Sequence, residues 1–209
     1  MVSITTEKRK ARNLQKNKAM LVLPLTYAAP IPYFEKLNSE QKVLIEIHEH
    51  FPKQTIRNHC TIATAHGAIK LTIPLAGRKN KSLTKDIKIS YAEPWQKLHF
   101  KALETAYNNS PYFEYYNYQL EPFYKKEFEF LIDFNLQLTQ KILSLLKLNV
   151  ELTLTESYNN YDEANDLRNF DFTSAPAKEY YQVFSDKQGF IPNLSILDLL
   201  FNEGNQIIF

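Results

Sequence analysis

Cysteine occurs once, as Cys60, in a chain of 209 residues. A lone thiol excludes an internal disulfide framework and an all-cysteine zinc site, and it points to a reducing, cytoplasmic setting. Glycine is almost as scarce, with four in all. That scarcity excludes a collagen-like fibre, and the chain carries no glycine-rich phosphate loop, nucleophile elbow or zinc-protease motif. No motif specifies a cofactor, so the cofactor is unknown at this level. Apolar runs of about 18 residues are also missing, so no membrane-spanning helix is expected. Met20–Leu25 follows a basic stretch as the core of a signal peptide would, but Pro24, Pro30 and Pro32 break the run. A secretory signal is therefore not expected.

Positive charge is lacking from most of the chain, although the formal net charge is +2. Lys8, Arg9, Lys10, Arg12, Lys16 and Lys18 against Glu7 give residues 1–19 a charge of +5, which leaves 20–209 near −3. By that balance the body is no nucleic-acid binder. The basic leader lacks apolar periodicity and is expected to be disordered. Met20, the second methionine, is an alternative start that would make the leader non-native.

What is present is material for a core. Apolar residues make up 44% and aromatics 13%, which suits one folded domain over 20–209. The 13 tyrosines and 14 phenylalanines exceed the needs of a core, so some are expected to line a groove or interface. Period-two alternation and short apolar runs predict strands near 21–25, 43–50, 57–64, 68–75 and 86–90, with a turn at His66-Gly67 making a hairpin. Helical spacing predicts helices near 94–107 and 124–148, a helix start at Ser110-Pro111, and a C-terminal helix capped by Asn193 and ended by Gly204. Pro32 suits the first turn of a short helix. Glu151–Thr155 and Tyr180–Phe184 read as further strands, and the polar stretch Tyr158–Arg168 as a loop or lid. The fold class is thus α+β, a single domain in which a mixed β-sheet with a central hairpin is covered by helices.

Four of the five histidines fall between positions 48 and 66. On an extended 43–51 strand, Glu46, His48 and His50 share one face, a spacing that suits metal ligands or a general base. Cys60 is a candidate nucleophile, although alternation turns it toward the core with Ile62. Arg57, His59 and Thr61 face the other way, so His59 is not placed to serve Cys60 as a base. Lys53 and Arg57 flank a turn where they suit an anionic group, with Asn58 and His59 as further substrate-binding candidates. His99 reads as a packed histidine, and Asn135 as a hydrogen-bonding hub on a helix stripe.

A set of segments adds a resemblance. They are Leu23-Pro24, Ala29-Pro30-Ile31-Pro32-Tyr33-Phe34, His48 through Cys60, Leu71-Thr72-Ile73-Pro74, Trp95 with His99, Ser110-Pro111-Tyr112-Phe113, Asp133-Phe134-Asn135, and Leu194 through Gly204. In this order the chain resembles the WbqC-like protein family over nearly all of 20–209. The resemblance implies a bacterial protein whose relatives sit with enzymes of surface-polysaccharide (O-antigen) assembly, some labelled acyl or aminoacyl transferases. Many relatives carry a Ser-Gly-Pro step and a His-Pro segment, whereas here Phe172–Gly189 is short and holds Ser174-Ala175-Pro176.

Three functions are therefore expected in competition. The first is a group-transfer enzyme acting on a small molecule or sugar, with His48 or His50 as base, Lys53 and Arg57 holding an anionic donor, and Cys60 as a covalent carrier. The second is a metal-dependent enzyme using Glu46, His48 and His50. The third is a non-catalytic scaffold gripping a sugar or partner through Tyr112, Phe113, Tyr115, Tyr116 and Tyr118. None of the three involves nucleic acid, and the sequence does not fix an oligomeric state.

Overall fold

The computed structural model describes residues 20–52, 55–77 and 81–205. The expected leader, residues 1–19, and Lys53 lie outside this set. Strands β1 (Val22–Pro24), β2 (Lys42–Glu46) and β7 (Glu151–Leu154) form a parallel sheet with β2 in the centre. Helix α1 (Ile31–Asn38), opened by proline in its first turn, makes the crossover from β1 to β2. Val22, Leu23, Val43 and Ile45 are fully buried, as parallel strands require. Outside β1 the chain adds a further parallel step. Val22 N donates to Asn165 O and Leu167 N donates to Val22 O, at 2.8 and 2.9 Å. All these segments point the same way, so their carboxyl ends gather on one edge.

The hairpin pairs β3 (His59–Thr64) with β4 (Gly67–Thr72) in an antiparallel ladder. Ala65 and His66 make its turn, and Gly67 at φ +109° closes it in a backbone region open mainly to glycine. Two short strands, β5 (Leu75–Ala76) and β6 (Lys88–Ile89), form a separate antiparallel pair. The α+β single domain read from the sequence is present, with the strands of the described residues shared among three small sheets rather than joined in one.

Helices α2 (Trp95–Tyr107), α3 (Phe113–Leu120), α4 (Leu131–Leu145), α5 (Ser185–Gln188) and α6 (Ile196–Glu203) cover the sheets. Helix α4 begins seven residues later than its apolar stripe suggests. The cause is competition: Ile89 N donates to Glu129 O and Leu131 N to Ile87 O, which holds the preceding segment extended against β6. Helix α6 is capped by Ser195 rather than Asn193. The Ser195 hydroxyl accepts from Leu197 N and donates to Ala28 O, while Asn193 instead donates to Thr173 O and Ala175 O. Residues 180–184 are not a strand. They run along α6, with Tyr181 N donating to Glu203 and Val183 N to Asn202.

The aromatic excess goes largely inward. Tyr27, Tyr33, Tyr107, Phe34, Phe113, Phe134, Phe172 and Phe201 are fully buried, and Tyr115, Tyr118, Tyr158 and Phe170 remain exposed. Buried Asp198 accepts from Tyr107 and Tyr180 hydroxyls at 2.7 and 2.6 Å, bracing α6 against α2. Among the described residues no helix is long and apolar enough to cross a membrane.

Candidate functional site

Open parallel sheets bind ligands outside the carboxyl ends of their strands, because backbone direction and connecting loops leave a crevice there. Here Pro24 at the end of β1, Pro52, residues 55–57, the outer face of the hairpin and the segment 168–173 enclose a cleft of about 450 Å³. Alternation along β3 sends His59 and Thr61 into it and Cys60 and Ile62 into the core. Lys70 on β4 lies directly opposite Thr61 in the ladder and so shares that face. Phe170, Phe172 and Thr173 supply the facing wall, and Thr55 sits beside Arg57.

Among the described residues two arginines line the cleft, and both are already engaged. Arg57 is 3% exposed, and its Nε and Nη2 reach Glu49 Oε1 at 2.8 and 2.6 Å. Its Nη2 also donates to the Arg168 carbonyl at 3.0 Å, and its own carbonyl accepts from Asn135 Nδ2 at 2.7 Å. Arg168 forks onto Asp166, Nε to Oδ1 at 2.8 Å and Nη2 to Oδ2 at 2.5 Å, and it lies 5.1 and 5.4 Å from the ring centroids of Tyr158 and Tyr161. This is bidentate geometry with a fixed orientation. Burial pushes the Glu49 carboxyl above its usual range although Arg57 pulls it down. Burial also works against ionisation of Asp166, but the Arg168 hydrogen bonds outweigh it and hold that carboxyl below its usual range.

His59 is the unusual titratable group. It is 9% exposed, and burial, with the Lys70 ammonium nearby, lowers its pKa to about 4. Its imidazole is therefore neutral at pH 7, with one ring nitrogen able to accept a proton and the other able to donate one. Among the described residues its ring has no hydrogen-bond partner. Lys70 is exposed and pairs with no carboxylate among the described residues.

A family model describing the WbqC-like protein family matches residues 26–181. The chain belongs to the WbqC-like protein family. No curated protein and no solved structure matches the chain. The matched span contains the cleft lining from Pro52 to Thr173 but not Pro24, and it leaves out the run from Leu194 to Gly204, which the sequence resemblance also used.

The structure separates the residues that the sequence placed on one strand face. Strand β2 ends at Glu46, and the chain then bends. Glu46 is fully buried, its Oε1 accepting from His48 N and from Thr155 Oγ1. His48 turns its Nε2 to the Thr155 carbonyl, and exposed His50 turns its Nδ1 to the Lys81 carbonyl. The three do not converge, and among the described residues no group of three His, Cys, Asp or Glu side chains is placed to hold a metal ion. Cys60 is 3% exposed and burial pushes its thiol up to about 12, a setting that withholds the thiolate nucleophilic chemistry needs. Asn58 spends its amide on the Ile73 carbonyl. Of the candidates, Arg57 and His59 line the cleft.

Lys70, Arg168 and the wall at 170–173 were missed by the sequence reading. The signal for Arg168 was there: an Asp-x-Arg step in a polar stretch holding Tyr158 and Tyr161. Lys70 carries no such signal, since a lysine on a half-exposed strand is ordinary until its partner strand is known.

Proposed function

We propose that the protein is a group-transfer enzyme of bacterial surface-polysaccharide assembly, moving an acyl or aminoacyl group onto an amino-sugar acceptor in the cleft between the hairpin and the sheet edge. Family membership and the sequence resemblance support the setting. The observation that carries the chemistry is the position of the His59 imidazole, nearly buried on the cleft wall with no hydrogen-bond partner among the described residues, beside the unpaired ammonium of Lys70. In this reading Lys70 takes the anionic group of a substrate, and the Arg57–Glu49 and Arg168–Asp166 pairs hold the walls at fixed spacing. The acceptor amine attacks the acyl carbonyl, and the new C–N bond forms as the bond to the leaving group breaks. His59 takes the amine's proton and returns it to the leaving group. Cys60, His48 and His50 have no part in this scheme.

The test is incubation with amino sugars, free and nucleotide-linked, together with activated acyl and aminoacyl donors, followed by mass spectrometry of the products. Wild-type protein is expected to yield acylated sugar, and His59→Gln to lose about 100-fold or more of the rate while its thermal unfolding stays unchanged. Equal turnover by the variant refutes the role of His59. Exposed Phe170, at 43%, favours a second reading in which the cleft binds a sugar ring without turning it over. Binding with no product from any donor selects that reading.

A further inference from the structure

Phe170 lines the cleft and is 43% exposed, yet its ring does not hang free. The ring centroid lies 4.8 Å from that of buried Phe172, edge to face, and Phe172 meets buried Tyr33 in the same way at 5.3 Å. The Tyr33 hydroxyl donates to the carbonyl of Pro24, another residue of the cleft wall, at 2.9 Å. The backbone is tied as well. Phe170 N donates to Leu167 O at 3.1 Å and Leu167 N to Val22 O at 2.9 Å, which pins the turn to the edge of the parallel sheet. The same cleft is lined by the His59 imidazole, the Thr61 hydroxyl and the Asn169 amide, none with a hydrogen-bond partner among the described residues. A fixed aromatic surface beside unpaired polar groups is the kind of mixed lining that orients a small ligand.

Resting on the proposed cleft as the sugar site, we infer that Phe170 is the platform on which the ring of the acceptor stacks, and that it selects a closed pyranose over an open-chain amine. A pyranose covers its faces with C–H bonds, whose hydrogens are weakly positive and suit the negative face of an aromatic ring. Its hydroxyls and amine project from the edge, where they suit the donors and acceptors of His59, Thr61 and Asn169. An open-chain amino alcohol carries such polar groups without a face, and it loses more freedom when held. Stacking involves no formal charge, so the preference is independent of the ionic balance of the cleft. Leucine at 170 keeps an apolar contact and loses the aromatic face.

The inference is tested by proton NMR titration of the full chain at pH 7 with three probes: methyl β-glucosaminide, its open-chain counterpart 2-amino-2-deoxyglucitol, and uridine. The glycoside is expected to bind about fivefold or more tighter than the open-chain amine, with its ring C–H protons moved upfield by the aromatic ring current. Phe170→Leu is expected to erase both the preference and the upfield shift while leaving the affinity for the open-chain amine unchanged. Phe170→Tyr is expected to keep both, and circular dichroism checks that each variant is folded. The inference is overturned if the glycoside does not bind, if it binds no tighter than the open-chain amine, or if Phe170→Leu leaves its shifts and affinity intact. Uridine binding more tightly than the glycoside, and losing that affinity in Phe170→Leu, assigns the platform to a nucleobase and also overturns it. The readout needs no turnover. Stacking of the glycoside without transfer from any donor sinks the enzyme reading and leaves this inference standing, while acyl transfer to both amines alike, unchanged by Phe170→Leu, does the reverse.

Discussion

At position 59, a histidine that the sequence placed beside Arg57 and Thr61 ends in a cleft with its ring neutral. Burial is the larger cause of its lowered pKa, and it acts alike on His99, whose pKa is also lowered to about 4 where it packs with Tyr27 and Trp95. In the unfolded chain both titrate near 6.5, so between pH 6.5 and 4 the unfolded state binds more protons than the folded one. Stability is therefore expected to be full above about pH 6.5 and to fall as pH drops toward 4, by about 2 kcal/mol or more for the pair. Urea titrations at pH 7.5, 5.5 and 4.5 measure this, and equal stability at all three contradicts the burial of both rings. Cys60 offers a sharper check. With its thiol at about 12 and 3% exposed, it is expected to react with a disulfide reagent at pH 8 only once the protein is denatured. Fast labelling of native protein would return Cys60 to the list of nucleophiles. Alternation foresaw its inward orientation; what it could not foresee was that His48 and His50 would part, because a strand's period says nothing about where the strand stops.

Among the elements, those built on strong local periodicity were legible and those decided by partners were not. The hairpin and α2 fall where alternation and helical spacing place them. The start of α4 does not, since β6 recruits 129–131 into a ladder that no local pattern announces. Strand order was likewise closed to the sequence, because the parallel step at 165–167 depends on backbone pairing with Val22. The connection between elements that matters most for the site is the Glu49–Arg57 pair, which ties the loop after β2 to the lead-in of β3 with side chains 11% and 4% exposed. Removing one member of a buried pair strands the other's charge. Glu49→Ala is expected to cost about 3 kcal/mol or more, seen as a lower urea midpoint with an unchanged slope. A loss under about 1 kcal/mol, the worth of an exposed pair, would show that the pair is not shielded from water.

Across the whole molecule, the cleft is a product of tertiary assembly. Arg57 and the Arg168 carbonyl it bonds are 111 residues apart in the chain. The parallel sheet brings both to its carboxyl edge, and the hairpin adds His59, Thr61 and Lys70 from the other side. Half of the site was therefore legible as a segment, Arg57 to Thr61, while its second wall was legible only as an unassigned polar stretch. In the proposed function, this cleft is where ligand sits. The most direct test is amide chemical-shift mapping of the labelled protein titrated with the amino sugars and acyl donors of the proposed reaction. Shifts confined to Thr55–Thr61, Lys70 and Arg168–Thr173 are predicted. Shifts centred instead on the small recess between α1 and α6, around Ile31, Tyr180 and Leu199, would contradict it.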